Sequence, residues 1–183
     1  MSSTVPHPPR SRGRRRAVLA SCLLATALSL TTATTATAAT TATGARQLNI
    51  SMQAQQESNW CWAASGATIA SWFGHDYSQN SFCDAAFGYS LNTSCPNSQA
   101  TLADDRTAYD RMGLNPGSYI QGRLSYGGVQ SEIDADRPVQ TRIQWSSGGG
   151  HMEVLYGYDA SSGWVYWGDP WPDDYRYNWA TYG

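Results

Sequence analysis

The stretch that decides the fold is Gln55–Phe73, which reads Q-Q-E-S-N-W-C-W-A-A-S-G-A-T-I-A-S-W-F. Its alanines are good helix formers, and its large apolar residues recur near helical spacing. We expect the helix to begin after Asn59, with Ser58 or Asn59 as the N-cap. Cys61 then lies in the first turn, where unpaired backbone N–H groups and the helix dipole favour a thiolate. The stretch therefore predicts a nucleophilic cysteine; the alternative is a cysteine buried in an apolar helix.

The N-terminal segment is typical of a secretory signal peptide. An arginine-rich run precedes an apolar stretch, Ala17–Leu30, which is shorter than the ~20 residues needed to span a bilayer. A small-residue cleavage motif follows at Ala36–Ala38, so we expect removal of residues 1–38 and secretion of the remainder, without membrane association. The paired arginines before Ala17 leave both the general and the twin-arginine export routes open.

The remaining chain suits a single domain. We expect residues 39–46 to be a short flexible N-terminus and residues 47–183 to form the folded domain. Once the signal arginines are removed, acidic residues outnumber basic residues by about seven. This charge disfavours nucleic acid or an anionic membrane surface as a partner. We expect a monomer.

The cysteine count indicates one disulfide and one free thiol. Cys22 leaves with the signal, so Cys61, Cys83 and Cys95 remain, an odd number for an exported protein. Cys83 and Cys95 bracket a short loop, and a bond between them would contribute roughly 3 kcal/mol through loop entropy. Cys61 is then unpaired, either tolerated in a core or kept for its chemistry.

Helical patterns precede strand patterns along the chain. Beyond the first helix, the predicted helices are Tyr77–Phe87, Asn97–Met112 and Val129–Asp136. The predicted strands are Val139–Trp145, His151–Tyr158, Trp164–Trp167 and the tail Tyr175–Tyr182. This order predicts an α+β domain in two halves, with N-terminal helices and a C-terminal twisted antiparallel β-sheet.

Two histidines remain as candidate bases after signal removal. His75 follows the first helix and would lie about 20 Å from Cys61, too far to share a proton. His151 opens a strand after a triple-glycine loop. Asp169 begins the turn after the neighbouring strand, where its carboxylate could accept a hydrogen bond from the imidazole. The alternatives are a surface histidine and an aspartate that serves only its turn.

The combination of Gln55, Cys61-Trp62-Ala63, Gly150-His151 and Gly168-Asp169-Pro170 resembles the papain-like cysteine proteases. It is most similar to their compact bacterial branch, the secreted avirulence-effector proteases, over essentially the whole mature chain. The resemblance implies a papain-like fold and hydrolysis of peptide bonds in protein or peptide substrates. It implies no cofactor, and two distant histidines with a disulfide-type cysteine pair disfavour a metal site.

The resemblance also implies roles for individual residues. Cys61 would be the nucleophile, His151 the general base and then the general acid, and Asp169 the residue that orients the imidazole. Gln55 would share the oxyanion hole with the Cys61 backbone N–H, and Gln56 is an adjacent rival for that role.

Residues beside these motifs are candidates for lining a substrate cleft. They are Trp60, Trp62, Gly149, Gly150 and Trp171, with Trp145 as a further aromatic candidate. The alternative for each tryptophan is packing in the core or at its rim.

Two other functions compete with a peptidase. The same fold could transfer an acyl group to an amine or hydrolyse a cell-wall peptide, although the W-C-W-A context favours a peptidase. A non-catalytic secreted binding module could use the exposed aromatic residues. Such a module needs neither Cys61 nor His151, so the combined motif disfavours it.

Overall fold

The computed structural model describes residues 44–183; the predicted signal peptide, its cleavage site and Cys22 lie outside the described residues. The helices are α1 (Cys61–Trp72), α2 (Gln79–Phe87), α3 (Leu102–Arg111) and α4 (Tyr126–Asp134). The strands are β1 (Ala45–Gln47), β2 (Val139–Gln144), β3 (Gly150–Asp159), β4 (Trp164–Gly168) and β5 (Tyr177–Thr181). The α+β prediction is confirmed. None of the helices described for residues 44–183 is long and apolar enough to cross a bilayer.

The sheet is antiparallel and is built around β3. One edge of β3 pairs first with β2 and then with β1, while the other edge pairs with β4, which in turn pairs with β5. Most side chains of β3 are buried, because the strand has neighbours on both edges and α1 and α4 pack against it. The position of β3 therefore fixes the surroundings of any side chain at its start, including His151.

The sequence did not indicate β1. Ala45 and Arg46, which we expected in a flexible N-terminus, belong to this strand, and its residues pair with the end of β3. Gly157 permits the contact, because a Cβ there would lie 2.7 Å from Gln47 Cγ and 2.8 Å from the Arg46 carbonyl oxygen. A three-residue strand has no readable alternation, so its formation depends on tertiary pairing rather than local sequence.

Two helices differ from their predicted limits. The third begins at Leu102, five residues later than predicted, because Thr101 and Asp104 form a capping box at that point. The fourth begins at Tyr126, three residues earlier than predicted, with Ser125 as its N-cap. The glycines in its first turn concealed this start, since glycine is a poor helix former. The predicted helix Tyr77–Phe87 agrees with α2, which begins two residues later because Ser78 is its N-cap.

The core lies between α1 and its neighbours α2, α3 and β3. Trp62 of α1 packs against Phe82 and Phe87 of α2 with ring centroids 6.1 and 5.4 Å apart. The predicted disulfide is present: Cys83 of α2 is bonded to Cys95 in the following loop. Among the described residues Cys61 is the free cysteine, as predicted.

A buried carboxyl group lies in this core. Asp105 of α3 accepts a hydrogen bond at Oδ2 from Gln140 Nε2, at 3.0 Å, whereas its Oδ1 has no hydrogen-bond partner. Gln140 is held in turn by the Tyr109 hydroxyl, which donates to its Oε1 at 2.7 Å. Burial raises the pKa of Asp105 well above its usual value, and the charges of Asp104 and Cys61 raise it further. The folded protein therefore favours the neutral acid at this position.

The raised pKa of Asp105 predicts a pH-dependent loss of stability. A carboxyl group with a higher pKa in the folded than in the unfolded state loses stabilisation as pH rises above its unfolded value. Asp105→Asn should therefore be more stable than wild type at pH 8, by about 1 kcal/mol or more. The gap should close near pH 4, as measured by thermal unfolding across this range. Asp173→Asn is the control, because Asp173 is exposed. The same dependence of stability on pH in the wild type, Asp105→Asn and Asp173→Asn would contradict the prediction.

Candidate active site

Cys61 is the first residue of α1 and so lies in its first turn, as predicted, but the predicted N-cap is wrong. Trp60 occupies the cap position, and no side chain caps the helix. Ser58 and Asn59 are engaged elsewhere: Asn97 Nδ2 donates to Ser58 Oγ, and Asn97 Oδ1 accepts the Asn59 backbone N–H. The half-buried Cys61 thiol therefore lies at a helix N-terminus that no protein side chain caps.

The two tryptophans beside Cys61 anchor the start of the helix. The Trp60 indole donates to the Pro96 carbonyl at 3.1 Å, and the Trp62 indole donates to the Ser98 carbonyl at 3.0 Å. Trp60 is 5% and Trp62 1% exposed, so both rings belong to the core and offer almost no surface to a substrate. Packing is therefore the main role of both rings, although Trp62 also borders a small cavity beside Cys61. A cleft role for either residue stays a prediction.

His151 and Asp169 meet at the start of β3 and the end of β4. The two side chains are buried, and His151 Nε2 lies 2.9 Å from Asp169 Oδ1. The same Oδ1 accepts the Trp171 backbone N–H at 2.8 Å, which fixes the carboxylate. With Nε2 directed at Asp169, the imidazole has Nδ1 left for Cys61.

A buried hydroxyl joins the element that carries Cys61 to the element that carries His151. Ser65, one turn into α1, donates to the Met152 carbonyl of β3 at 3.1 Å. Because Met152 directly follows His151, this bond holds the helix and the strand in a fixed relation beside the site. Sequence reasoning missed Ser65, since a serine within an alanine-rich helix carries no distinguishing pattern.

Two exposed tryptophans flank the imidazole. The Trp171 ring centroid lies 4.9 Å from that of His151, and the Trp145 ring lies nearly parallel to it at 6.4 Å. Trp145 is 42% and Trp171 40% exposed, so each ring packs beside His151 and still presents a face to solvent. Trp171 and Trp145 thus each present a surface to solvent, and their contact with a substrate stays a prediction.

The charges at the site favour an imidazolium. Burial lowers the pKa of His151, but hydrogen bonds to Asp169 and Cys61 and the charges of both raise it, with a net result of about 10. Burial raises the pKa of Asp169, yet its bonds with His151 and the Trp171 backbone hold it below its usual value. At neutral pH the pair is therefore an imidazolium hydrogen-bonded to a carboxylate.

Gln55 lies in the loop before α1, with its amide turned towards that loop. Its Nε2 donates to the carbonyls of Glu57 and Ser58 at 2.9 and 3.0 Å, and its buried Oε1 has no hydrogen-bond partner. The Gln55 backbone N–H donates to the Pro170 carbonyl at 2.8 Å, which joins this loop to the Asp169 turn. Both amide hydrogens are thus occupied, so an oxyanion role for Gln55 requires rotation of its side chain and stays a prediction.

Gln56, the rival of Gln55, has an exposed side chain. Its backbone N–H donates to Oε1 of the buried Gln79 at 2.9 Å, and Gln79 Nε2 donates to the Ala54 carbonyl at 2.7 Å. Gln79 therefore holds the loop from α2. The sequence did not reveal this function, because the partners are far apart in the chain.

A small cavity lies directly beside Cys61. Its walls include Asn59, Gln99, Arg142 and Gly150. A Cβ at Gly150 would lie 2.3 Å from the Ile143 carbonyl oxygen, so only glycine allows β2 and β3 to approach here. Gly150 thus borders this cavity, and its place in a substrate cleft stays a prediction.

The neighbouring glycine lies in the link between β2 and β3. Gly149 has a positive φ of 76° and accepts a hydrogen bond from Arg142 Nη2 at its carbonyl, at 2.9 Å. The bond places the guanidinium at the cavity. Arg142 was not predicted as a site residue.

His75 plays no part in this geometry. It lies beyond the C-terminal end of α1, opposite the end that begins with Cys61, and its ring stacks on Tyr77 at 6.5 Å.

Three side chains of metal-binding types converge at His151. One side-chain nitrogen of His151 and one oxygen each of Glu153 and Asp169 lie within 4.8 Å of one another. Two ligands of one tetrahedral zinc ion lie about 3.4 Å apart, whereas His151 Nε2 and Asp169 Oδ1 are 2.9 Å apart and hydrogen-bonded. The arrangement is that of a hydrogen-bonded group and not of a preformed metal centre. The expected absence of a metal stays a prediction.

The chain matches the model of a known protein family over most of its length. The model of the family described as "Papain-like cysteine protease AvrRpt2" matches residues 43–182. No curated protein and no solved structure matches the chain. The matched range covers most of the chain and includes the helix that begins at Cys61 and the strands that bring His151 to Asp169. The chain therefore belongs to the family of the papain-like cysteine protease AvrRpt2, and it is a papain-like cysteine peptidase, a hydrolase.

Proposed function

We propose that the protein is a secreted endopeptidase that cleaves proteins or peptides with Cys61, His151 and Asp169. The observation that supports it most is the buried His151 Nε2–Asp169 Oδ1 contact of 2.9 Å, on an imidazole whose pKa also responds to Cys61. A nucleophile, a proton-transfer group and an orienting carboxylate are the three parts of this chemistry.

The first half of the reaction acylates Cys61. Its thiolate attacks the carbonyl carbon of the substrate, a C–S bond forms, and the carbonyl oxygen becomes an oxyanion. The backbone N–H groups at the start of α1, which no side chain caps, are the proposed donors for that oxyanion. The C–N bond then breaks, and the His151 imidazolium gives its proton to the leaving amine. The product is a thioester on Cys61 Sγ.

The second half restores the enzyme. The neutral imidazole takes a proton from water as the water oxygen attacks the thioester carbonyl, and the C–S bond breaks to return the thiolate. Asp169 keeps Nε2 of the ring engaged throughout, so that Nδ1 stays directed at the reacting atoms.

Secretion and a monomeric state belong to the same proposal. The Cys83–Cys95 disulfide suits an oxidising compartment, in agreement with the expected signal peptide. The excess of acidic residues keeps the protein from nucleic acid and anionic membranes, so a protein or peptide substrate is the proposed partner.

Covalent labelling tests the proposed Cys–His pair. An epoxide inhibitor that alkylates papain-like thiolates should add once per molecule, on Cys61, as measured by mass spectrometry at neutral pH. His151→Ala should slow the labelling by about 100-fold or more, because the thiolate loses its imidazolium partner. His75→Ala is the matched control and should label at the wild-type rate. A wild-type rate in His151→Ala, or no label on Cys61 beside an intact Cys83–Cys95 bond, would contradict the proposal.

A further inference from the structure

A second carboxyl group lies beside the His151–Asp169 pair. Glu153 follows His151 by two residues on β3, so the two side chains lie on the same face of the strand. Val154 pairs with Gly168, which brings the next residue of that chain, Asp169, alongside Glu153. The half-buried Glu153 thus offers a carboxyl oxygen within 4.8 Å of a His151 nitrogen and of an Asp169 oxygen.

We propose that Glu153 is a positioning residue of the active site, whose carboxylate holds the His151 imidazolium protonated and bound to Asp169. The proposal rests on the proposed function of Cys61, His151 and Asp169. Glu153 touches no reacting atom and acts through His151. The sequence motifs did not indicate Glu153, because it lies outside both the Gly150-His151 and the Gly168-Asp169-Pro170 motif.

The charge state of Glu153 depends on its neighbours. Burial raises its pKa and the charge of Asp169 raises it further, while the His151 charge and a hydrogen bond from Trp167 lower it, with a net result of about 7. Below pH 7 Glu153 is therefore mostly neutral, and above pH 7 it is mostly a carboxylate. The groups that face it are Asp169 after β4, His151 on β3 and the Trp167 side chain on β4.

The sign of the effect on His151 follows from these charges. An opposite charge within about 4–6 Å favours the charged form of a group, so ionised Glu153 stabilises the imidazolium. Ionised Glu153 also repels the Asp169 carboxylate, and the positive charge of the adjacent imidazolium offsets that repulsion. The imidazolium is the acid that protonates the leaving amine in the proposed mechanism. Glu153 should therefore extend activity to higher pH.

Replacing Glu153 with Gln removes the charge with little change in shape. The His151 pKa should fall by about one unit from its value of about 10, as measured by imidazole nitrogen NMR on the protein. The alkaline limit of kcat/KM on a peptide substrate should move down by the same amount. Below pH 6, where Glu153 is neutral in wild type, the rates of the two proteins should coincide. A chelator in all samples removes any contribution from metal ions.

Two further variants separate charge from structure. Glu153→Asp keeps a carboxylate and should retain most of the wild-type alkaline limit, whereas a packing role would make Asp no better than Gln. Glu132→Gln is the matched control, because Glu132 pairs with Arg137 on the surface. Coincident His151 titrations in wild type, Glu153→Gln and Glu132→Gln would overturn the proposal, and so would an Asp variant that behaves like the Gln variant.

The NMR measurement does not depend on turnover. If neither the wild type nor any variant cleaves a peptide, the proposed function fails. The His151 titration still decides whether Glu153 acts on the imidazole. If the His151 pKa falls as expected in Glu153→Gln but the alkaline limit of kcat/KM does not move, Glu153 acts on the imidazole electrostatically and has no part in the reaction. The two failures are therefore distinguishable.

Discussion

A Cys61→Ala variant is expected to lose all measurable peptide hydrolysis and to keep the melting temperature of the wild type within a few degrees. The proposed thioester forms on Cys61 Sγ, and no other described residue supplies a thiol, since Cys83 and Cys95 are bonded to each other. Alanine is a good helix former, and the side chain it replaces is only half-buried, so little packing is lost. His151→Ala should lower kcat/KM by about 1,000-fold. Steady-state kinetics and thermal unfolding of the same preparations measure both effects.

Asp169→Asn provides a graded control for this prediction. The amide oxygen can still accept from His151 and from the Trp171 backbone N–H, so the ring keeps its orientation. The negative charge is lost, which lowers the pKa of His151 and leaves less imidazolium at high pH. We expect a smaller loss of activity than in His151→Ala, greatest on the alkaline side. Parallel losses of melting temperature and activity in all three variants would mean that these residues are structural.

The parts of this site that the sequence predicted are those fixed by local patterns. The alanine-rich helix placed Cys61 in its first turn, and the strand patterns after Val139 predicted β2, β3 and β4. Once consecutive strands pair, the start of one lies beside the end of the next. His151 and Asp169 were therefore expected to meet before any side-chain contact was seen.

The parts that the sequence did not predict depend on contacts between distant residues. Asn97 binds both side chains that we had expected to cap α1: its Nδ2 donates to Ser58 Oγ, and its carbonyl accepts from Asn59 Nδ2, bonds that span 39 and 38 residues. The Gln55 amide is directed towards its own loop because it donates to two backbone carbonyls there, and the sequence pattern does not indicate these bonds. Glu153 gains its environment from Asp169, which the fold places beside it. Local secondary-structure propensity predicts none of these three sets of contacts.

One glycine links the core to the position of Cys61. Gly66 lies in the middle of α1, and a Cβ there would lie 2.1 Å from Phe82 Cζ and 2.3 Å from Phe82 Cε1. Phe82 is fully buried and is held edge-on against Tyr109, at 5.3 Å between ring centroids. Because the ring is buried between Trp62 and Tyr109, we expect a methyl group at residue 66 to push α1 and α2 apart.

Gly66→Ala is therefore expected to destabilise the protein by about 2 kcal/mol or more, although Ala gains about 1 kcal/mol in a free helix. Activity should fall further than stability explains, because a shift of α1 moves Cys61 relative to His151 and a 1 Å misplacement can cost about 100-fold. Gly127→Ala is the matched control: a Cβ in that α4 position meets nothing within 4 Å, so it should stabilise the protein slightly. Phe82→Leu should restore part of the loss in the double variant, because the smaller side chain makes room for the methyl group. The measurements are thermal unfolding and kcat/KM of Gly66→Ala, Gly127→Ala, Phe82→Leu and the double variant. A Gly66→Ala protein as stable as Gly127→Ala would show that Phe82 does not hold α1 in place.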